Sequence, residues 1–289
     1  MIMVIFMSSQ YLKRLSLIDF YLTYVGSFQR NDLINHFDIG SVTATRDIKE
    51  YRKLYPENII YDVSSKSYVK NKTTFKKRFN HNDETALHFL SSGEWINEVT
   101  TNKLIGIDTQ YIKNHYAQGV IPNLTQAIYS NCSLKVEYIS NTSGKSSKEL
   151  FPHSIFQFGT KWYTRAFDVK NHNYINLKLS RILSSEIFRD AIATDNHLEM
   201  DKNWNAEIIL TIAPHPNLPH PETSLLDLNL KDKPVFNIKT NAGIAGIVLS
   251  TMKIDFSENA SENPLNYQLR LMNRHELIVL PSLAYLFND

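Results

Sequence analysis

Three short helical segments followed by a hairpin are the sequence feature that most constrains how this chain folds. Apolar residues recur at helical spacing over residues 9–24, and shorter segments of the same kind cover residues 29–36 and 41–55. Ser41 is a favourable N-cap residue for the third helix, and Pro56 ends that helix. Three helices in such close succession predict a helix-turn-helix.

The hairpin follows the third helix directly. β-prone residues fill positions 59–63 and 67–69, and the polar tripeptide Ser64-Ser65-Lys66 joins them. A hairpin of this size beside a helix-turn-helix is called a wing, so residues 1–78 are predicted to form a winged helix-turn-helix domain. Further helical patterns at residues 83–97 and 109–116 predict a helical linker over residues 79–119.

Charge is distributed unevenly along the chain, whose formal net charge is only +2. Residues 1–78 contain thirteen Lys and Arg against seven Asp and Glu, whereas residues 79–289 contain eighteen against twenty-two. A basic N-terminal domain on an otherwise acidic chain is typical of a nucleic-acid-binding domain joined to a domain with another role.

The third helix has a core face and a polar face. Its core face is predicted to contain residues spaced three or four apart, Ala44, Ile48, Tyr51 and Tyr55. In helix-turn-helix proteins the N-terminal residues of this helix meet base edges, so the candidate base readers are Ser41, Thr43, Thr45 and Arg46. Phosphate contacts are assigned to basic residues farther along the helix and at the wing tip, Lys49, Arg52, Lys53 and Lys66. The alternative is a solvated helix in a subdomain that binds only protein.

The chain changes to β structure after residue 120. A short helix ends near Ile128, and strands are then predicted at residues 134–139, 147–158, 161–169 and 174–183. Strands this closely spaced indicate a small barrel or a strongly bent sheet over residues 120–200. Residues 201–289 are predicted to form a third unit with a helical C-terminal end and β-prone runs at residues 206–212, 235–240, 244–254 and 267–270.

One strand face of the central unit combines groups that bind anions and groups that stack on bases. Strand alternation places four side chains on this face, Lys161, Tyr163, Arg165 and Phe167. Arginine offers a forked donor to phosphate or carboxylate, and aromatic rings stack on nucleobases. The face is therefore a candidate ligand site, and the alternative is an exposed strand face with ordinary basic residues.

The same segment carries the motifs of a known family. Trp162-Tyr163-Thr164 follows a Gly-x-x-Trp-Tyr approach that begins at Gly159, a proline-containing strand precedes it, and Ser180-Arg181-Ile182 comes after it. In these residues the chain resembles the WYL-domain family of bacterial regulators, with Thr164 where the family has Leu. The resemblance extends over nearly the whole chain. Its size and arrangement are most similar to the compact repressors associated with phage-defence islands such as BREX systems.

The resemblance implies an α+β architecture in three parts. These are the winged helix-turn-helix, a small Sm-like β-barrel that is the WYL domain, and a C-terminal α/β extension that dimerises. It also implies a polar pocket that binds a nucleotide or a nucleic-acid-derived signal, to which four residues correspond, Ser154, Tyr163, Arg165 and Arg181. The candidate ligand-binding set is completed by neighbouring residues of the same strands, His153, Lys161 and Phe167.

Arg181 is difficult to place in that pocket. In a regular strand over residues 174–183 its side chain would share a face with Leu177 and Leu179. A bulge or a strand end near Ser180 is therefore required.

Other classes of site have little support. The chain lacks the Gly-x-x-x-x-Gly-Lys-Ser/Thr loop, the Gly-x-Ser-x-Gly elbow and the His-Glu-x-x-His motif, so an enzyme is not expected. The single cysteine, Cys132, excludes an internal disulfide and suits a reducing cytoplasm. His215 and His220 lie in a proline-rich segment without accompanying ligands, so no metal or other cofactor is expected. The apolar residues 1–7 are too few to span a membrane.

These observations predict a ligand-responsive, homodimeric repressor in the cytoplasm, whose two recognition helices bind a pseudo-palindromic DNA operator. One alternative is a nucleic-acid-sensing effector that binds single strands through the β-barrel. The other is a nucleotide-processing enzyme that uses His153 or Asp168 beside Arg165.

Overall fold

A computed structural model describes residues 9–92, 114–188, 198–230 and 234–287 of the chain. The chain divides into two compact units, and each is described by itself. The first consists of Met1–Glu149 with Ser180–Ala191, and the second of Leu150–Leu179 with Ile192–Asp289. The described residues contain no helix that is long and apolar enough to cross a membrane.

The first unit begins with the predicted winged helix-turn-helix. Its helices and strands are α1 (Ser9–Phe20), β1 (Ser27–Phe28), α2 (Arg30–Phe37), α3 (Ser41–Leu54), β2 (Ile59–Asp62) and β3 (Ser67–Lys70). The three helices and the hairpin are confirmed, and β1 adds a third strand that pairs with β3. Beyond α1 the chain continues as one π-helical turn, Tyr21–Val25, and the left-handed Gly26 ends it at φ 90°.

The prediction that Ser41 caps α3 is wrong by one residue. The N-cap is Gly40, whose backbone is extended, and Ser41 is the first helical residue. Asp38 adopts the left-handed conformation at the end of α2, which turns the chain toward α3.

The core of the winged domain forms where α1, α2 and α3 meet the wing. It includes Leu15 and Ile18 of α1, Leu22 of the π-helical turn and, as predicted, Ala44, Ile48 and Tyr51 of α3, with Tyr55 at its margin. Burying an aliphatic or aromatic side chain contributes about 1.5–3 kcal/mol. The orientation of α3 is therefore fixed largely by its apolar face.

Two buried carboxylates add polar ties to this core. Asp19 of α1 accepts hydrogen bonds from the Tyr51 hydroxyl at 2.6 Å and from the backbone N–H groups of Arg78 and Phe79 at 3.1 and 3.2 Å. Burial raises the pKa of Asp19, and these hydrogen bonds oppose the shift.

The second tie joins α1 to α3. The Nε atom of Arg14 lies 2.6 Å from Oδ2 of Asp47, which is fully buried on α3. The pairing with Asp47 draws the Arg14 side chain against α3, so that only 12% of it is exposed.

The rest of the first unit contains α4 (Asp83–Ser92), α5 (Val120–Tyr129), β4 (Ser133–Ser140), the start of β5 (Gly144–Phe158) and β8 (Ile182–Phe188). The amide of Gln126 on α5 donates to the carbonyl of Thr23 at 2.6 Å, and so ties this part to the winged domain. Of the predicted linker helices, 83–97 is confirmed as far as Ser92. The helix at 109–116 lies largely outside the described residues, and its last three positions are not helical.

The second unit contains two groups of strands. β5, β6 (Lys161–Asp168) and β7 (Asn173–Lys178) pair in order as an antiparallel meander. The C-terminal sheet has the strand order β10-β9-β12-β11, with β9 (Glu207–Pro214), β10 (Phe236–Asn241), β11 (Ile254–Asp255) and β12 (Leu269–Leu271). The described residues of this unit also form the helices α6 (Lys202–Asn205), α7 (Pro221–Asp227), α8 (Ala245–Thr251), α9 (Arg274–Leu277) and α10 (Ala284–Phe287).

The predicted small barrel is corrected by the strand pairing. A closed barrel needs a partner on both edges of every strand. Among the described residues, β7 pairs only with β6, β8 pairs with β4, and the sheets are open.

Two predicted strands are wrong in part. The strand at 174–183 is divided by a 3₁₀ turn, Leu179–Arg181, which provides the strand end required near Ser180. Most of the strand at 244–254 is helix α8, because Ala245, Val248 and Leu249 repeat at helical spacing and are buried together.

We expect Tyr51→Phe to lower the free energy of unfolding by about 1–3 kcal/mol, because Asp19 then loses a donor while it stays buried. The measurement is urea-induced unfolding of the full chain followed by circular dichroism. Tyr55→Phe, at the residue that follows the same helix, is the matched control, with an expected change within about 0.5 kcal/mol. Equal losses for the two variants would show that the Asp19–Tyr51 hydrogen bond has no special role.

Candidate functional site

The polar face of α3 lies on the outside of the first unit. Its basic side chains are exposed, Arg46, Lys49, Arg52 and Lys53, and Arg46 has 65% of its side chain exposed. Ser41 is exposed at the start of the helix, whereas Thr43 and Thr45 are partly exposed. All seven predicted residues of α3 are therefore accessible from outside.

Lys66 occupies the turn between β2 and β3. Its backbone is left-handed, with φ 51°, and its side chain is exposed. Asp62 holds this turn by accepting from the Ser64 N–H at 3.0 Å and from the Ser65 hydroxyl at 2.6 Å. The hydrogen bond from Ser65 lowers the pKa of Asp62. The turn therefore presents Lys66 from a defined backbone conformation.

Sequence reasoning missed two residues beside the predicted base readers. Val42, in the first turn of α3, is 82% exposed although it is apolar. The guanidinium of Arg30 on α2 lies 3.5 Å from the Thr45 hydroxyl oxygen. The position of Val42 between Ser41 and Thr43 could have indicated that it lies beside the base readers. The approach of Arg30 to α3 could not be read from the sequence, because it depends on how α2 packs against α3.

The candidate ligand residues are placed by β5, β6 and the turn after β7. Arg181 is partly buried in the first unit. The other candidate residues belong to the second unit, namely His153, Ser154, Lys161, Tyr163, Arg165 and Phe167. The Tyr163 ring stacks on Phe156 with centroids 5.3 Å apart, and the Phe167 ring meets Tyr174 edge to face at 5.2 Å. Lys161 is partly buried at the start of β6.

A bulge at His153 shapes this part of the second unit. The pairing of β5 with β6 shifts between Pro152 and Ser154, so His153 has no direct partner across the ladder. A bulge of this kind re-aims a side chain. The His153 ring lies against the Ser154 hydroxyl, with Nδ1 and Oγ 2.8 Å apart, and reaches Asp201 with its other nitrogen.

Asp201 is the centre of a buried charge cluster. The Nε and Nη2 groups of Arg165 donate to its two carboxylate oxygens at 2.7 and 3.2 Å, and Nε2 of His153 lies 3.1 Å from Oδ2. The side chains of Arg165, His153 and Asp201 are 5%, 6% and 1% exposed. Asp201 also caps α6 by accepting from the Trp204 N–H at 3.0 Å.

The electrostatics of this cluster favour the charged carboxylate. Burial raises the pKa of Asp201, but the hydrogen bonds from His153 and Arg165 and the charge of Arg165 outweigh it and lower the pKa to about 2. Sequence reasoning missed Asp201, because it lies 36 residues after Arg165 and nothing in the local pattern links the two.

A cavity of about 700 Å³ opens beside Arg165 within the second unit. Its walls include Tyr174, Asn176, Lys202 and Tyr285. Asn176 lies 3.5 Å from the Nη1 atom of Arg165 and donates to the Gly243 carbonyl at 2.6 Å. A side chain at Gly243 would come within 3.4 Å of the guanidinium, so this glycine leaves room beside it.

The other candidate residues have structural partners. The Nε2 atom of His215 lies 3.1 Å from Asp255, whereas His220 is exposed beside Glu222. The described residues contain no group of three or more potential metal ligands. The carboxylate of Asp168 accepts from the backbone N–H groups of Lys170 and Asn171 and so holds the turn after β6.

Comparison with known proteins identifies two domains. Residues 10–92 match the model of the BrxR transcriptional regulator winged helix-turn-helix domain, and residues 119–187 match the WYL domain model. The resemblance inferred from the sequence is thereby confirmed. This chain carries a winged helix-turn-helix domain of the BrxR type and a WYL domain.

The curated relatives of this chain include proteins named DNA-binding transcriptional repressor CapW. The protein from Escherichia coli strain KTE188 is 28% identical over 286 residues, which cover 93% of this chain and 91% of the relative. The Stenotrophomonas maltophilia protein is 25% identical, covering 71% and 70%. The Pseudomonas aeruginosa protein is 24% identical, covering 92% and 90%.

The solved structures that align with this chain include a proteasome accessory factor. Proteasome accessory factor B/C of Arthrobacter aurescens is 13% identical with a TM-score of 0.26, covering 96% of this chain and 47% of that protein. This chain therefore spans about half of its length.

We expect Arg165→Ala to lower the free energy of unfolding by about 3–5 kcal/mol, because it leaves the Asp201 carboxylate buried without its cationic partner. Adding Asp201→Ala to this variant removes the stranded charge, so the double variant should lose less than the sum of the two single losses. Urea-induced unfolding of the original chain, the two single variants and the double variant gives a double-mutant cycle, with Lys170→Ala as an exposed control in the same unit. If the losses of unfolding free energy for the two single variants add up to the loss for the double variant, the Arg165–Asp201 pairing is contradicted.

Proposed function

We propose that this chain, which joins a BrxR-type winged helix-turn-helix domain to a WYL domain, is a sequence-specific DNA-binding transcriptional repressor that acts in the cytoplasm. The observation that carries the proposal is the outward face of α3. This face combines short polar side chains at the start of the helix with exposed Arg and Lys along the rest of it.

The order of side chains along α3 fits a helix in the major groove. Ser41, Thr43, Thr45 and Arg46 stand at the N-terminal end, where recognition helices meet base edges. Lys49, Arg52 and Lys53 stand farther along and carry the charge needed for phosphates. Lys66 at the wing tip is proposed as another phosphate contact.

Val42 extends the proposed reading surface. Its exposed methyl groups lie in the same first turn as Ser41 and Thr43. Apolar side chains in the major groove contact the methyl group of thymine. We therefore add Val42 to the proposed base readers, to be tested by Val42→Ala binding to operator DNA that contains uracil in place of thymine.

The relatives support repression as the outcome of DNA binding. Curated proteins that align along more than nine-tenths of this chain are named repressors. Because the N-terminal domain matches the BrxR model and the sequence resembles compact BREX-associated repressors, the proposed target is a phage-defence operon. Transcription of the neighbouring genes with and without this protein tests that assignment.

The WYL domain is proposed to bind a nucleotide or oligonucleotide that modulates DNA binding. The proposed ligand residues are those named from the sequence, His153, Ser154, Lys161, Tyr163, Arg165, Phe167 and Arg181. A ligand changes operator affinity only if it binds the two conformations of the protein unequally. Titration of operator binding with nucleotides tests this role, and Tyr163→Phe should weaken the response because it removes only a hydroxyl.

The protein is proposed to bind DNA as a homodimer held by its C-terminal extension. One helix-turn-helix covers few base pairs, and pairing doubles the contacts. The neighbouring residues Ile278 and Val279 are exposed apolar side chains after α9, and Val279 is 73% exposed. Light scattering should give twice the 33.4 kDa chain mass, with operator half-sites about 10 base pairs apart or a multiple of that.

We expect Val279→Glu to give monomers in the same light-scattering measurement, because a charge would be buried in the interface. Leu265→Glu, at another exposed apolar position of the second unit, is the matched control and should stay dimeric. A dimeric Val279→Glu protein would place the interface elsewhere.

We expect Arg46→Ala and Lys53→Ala to weaken DNA binding in different ways. Loss of a base contact at Arg46 should cost about 1–3 kcal/mol on the operator and little on random DNA. Loss of a phosphate contact at Lys53 should weaken both and reduce the salt slope by about 0.9. Fluorescence anisotropy at several salt concentrations measures both effects.

Lys145→Ala removes the same charge outside α3 and should leave both affinities unchanged. Equal losses of Arg46→Ala on operator and random DNA would remove Arg46 from the readers. If no variant of α3 affects DNA binding, the proposal that α3 reads the operator fails.

A further inference from the structure

The cluster of Arg165, His153 and Asp201 has the geometry of an occupied anion site. Two N–H groups of one guanidinium meet the two oxygens of one carboxylate, and an imidazole nitrogen lies 3.1 Å from one of these oxygens. A phosphate offers two oxygens in the same forked arrangement, so arginine pairs with carboxylates and phosphates alike. Asp201 therefore stands where the anionic group of a bound molecule would stand.

The remaining groups around Arg165 fit the rest of a nucleotide. The adjoining cavity of about 700 Å³ is within the range of small-molecule sites, about 300–1,000 Å³. Tyr174 and Tyr285 supply aromatic rings, Asn176 supplies an amide, and Lys202 supplies a second cation. Aromatic rings stack on nucleobases, and cations bind phosphate.

We propose that Arg165 and His153 form the phosphate subsite of this cavity and that Asp201 is its internal occupant, which a ligand phosphate displaces. The inference rests on the proposed function, since it specifies how the ligand site of the WYL domain is regulated. In this arrangement the phosphate subsite is filled by a side chain of the chain itself.

Displacement of Asp201 affects more than the site. The same carboxylate caps α6 through the Trp204 N–H, and the Asp201 carbonyl accepts from the Asn205 N–H at 3.0 Å. β9 begins two residues later, at Glu207, and is a central strand of the C-terminal sheet. An exchange of Asp201 for a ligand phosphate therefore releases the start of α6 and changes the segment that leads into that sheet.

Because Asp201 occupies the phosphate subsite, only certain ligands can replace it. A molecule that displaces Asp201 must replace the charged partner of Arg165 and His153, or leave both buried without one. A phosphate group can do this, whereas an uncharged nucleoside cannot. The site is therefore expected to discriminate by the phosphate rather than by the base.

The test removes the internal occupant and keeps the helix cap. Asp201→Asn retains one acceptor for the Trp204 N–H and removes the negative charge, and Asp201→Ser is a second variant that retains a good capping side chain. Glu199→Gln is the matched control, because it removes the same charge from an exposed position two residues away. Thermal unfolding of the full chain verifies that each variant is folded.

Isothermal titration calorimetry measures binding of thymidine 5′-monophosphate, thymidine and 5′-phosphorylated hexathymidylate to each protein. We expect Asp201→Asn and Asp201→Ser to bind the two phosphate-bearing probes at least about tenfold more tightly than the original chain, with no gain for thymidine. Glu199→Gln should behave like the original chain. Adding Arg165→Gln to Asp201→Asn should abolish the gain.

A larger gain for the oligonucleotide than for the mononucleotide would identify a nucleic-acid end as the source of the phosphate, and the reverse would identify a free nucleotide. Folded Asp201 variants that bind the phosphate-bearing probes no more tightly than the original chain, or bind none of the probes, would overturn the inference. Failure of the proposed function is distinguishable, because absence of operator binding leaves the phosphate gain of the Asp201 variants unaffected.

Discussion

The hydrogen bonds of the buried Asp19 carboxylate are the constraint that holds the winged helix-turn-helix domain together. Asp19 extends from α1 and binds α3 through the Tyr51 hydroxyl and the chain beyond the wing through the N–H groups of Arg78 and Phe79. The Arg14–Asp47 pair adds a second tie between α1 and α3. Because α3 is held on its inner face by these contacts, its outer face carries exposed Arg and Lys at fixed positions.

Asp201 is likewise a buried carboxylate that joins separate segments of the second unit, but its partners differ from those of Asp19. This difference in partners determines which of the two carboxylates a ligand phosphate can replace. The partners of Asp19 are a hydroxyl and backbone N–H groups, and burial keeps its pKa raised. Those of Asp201 include the Arg165 guanidinium and the His153 ring, and its pKa falls to about 2 despite burial. The Arg165 guanidinium can pair with any anion of suitable geometry, whereas the partners of Asp19 are a hydroxyl and backbone N–H groups of the fold itself. A structural carboxylate and an exchangeable one therefore coexist in one chain.

The sequence was informative wherever the signal is local. Helical spacing of Leu15, Ile18 and Leu22 predicted α1, and the same reasoning identified the core and outer faces of α3. The polar ties were not predictable, because Tyr51 lies 32 residues from Asp19 and Asp201 lies 36 residues from Arg165. α8 was mistaken for a strand because Ile247 and Val248 are β-branched, and only packing selects the helix. The prediction of a closed barrel was wrong, because the spacing of strands along the sequence does not specify which strand edges pair.

We propose that α3 reads a specific DNA sequence, and a comparison of binding to two DNA fragments tests this proposal. The unmodified chain is titrated with the DNA immediately upstream of its own gene and with a shuffled fragment of equal length and composition, at physiological salt. We expect the affinity for the upstream DNA to be at least about 10³ times higher, as is typical of specific over non-specific binding. Equal affinities for the two fragments would contradict it.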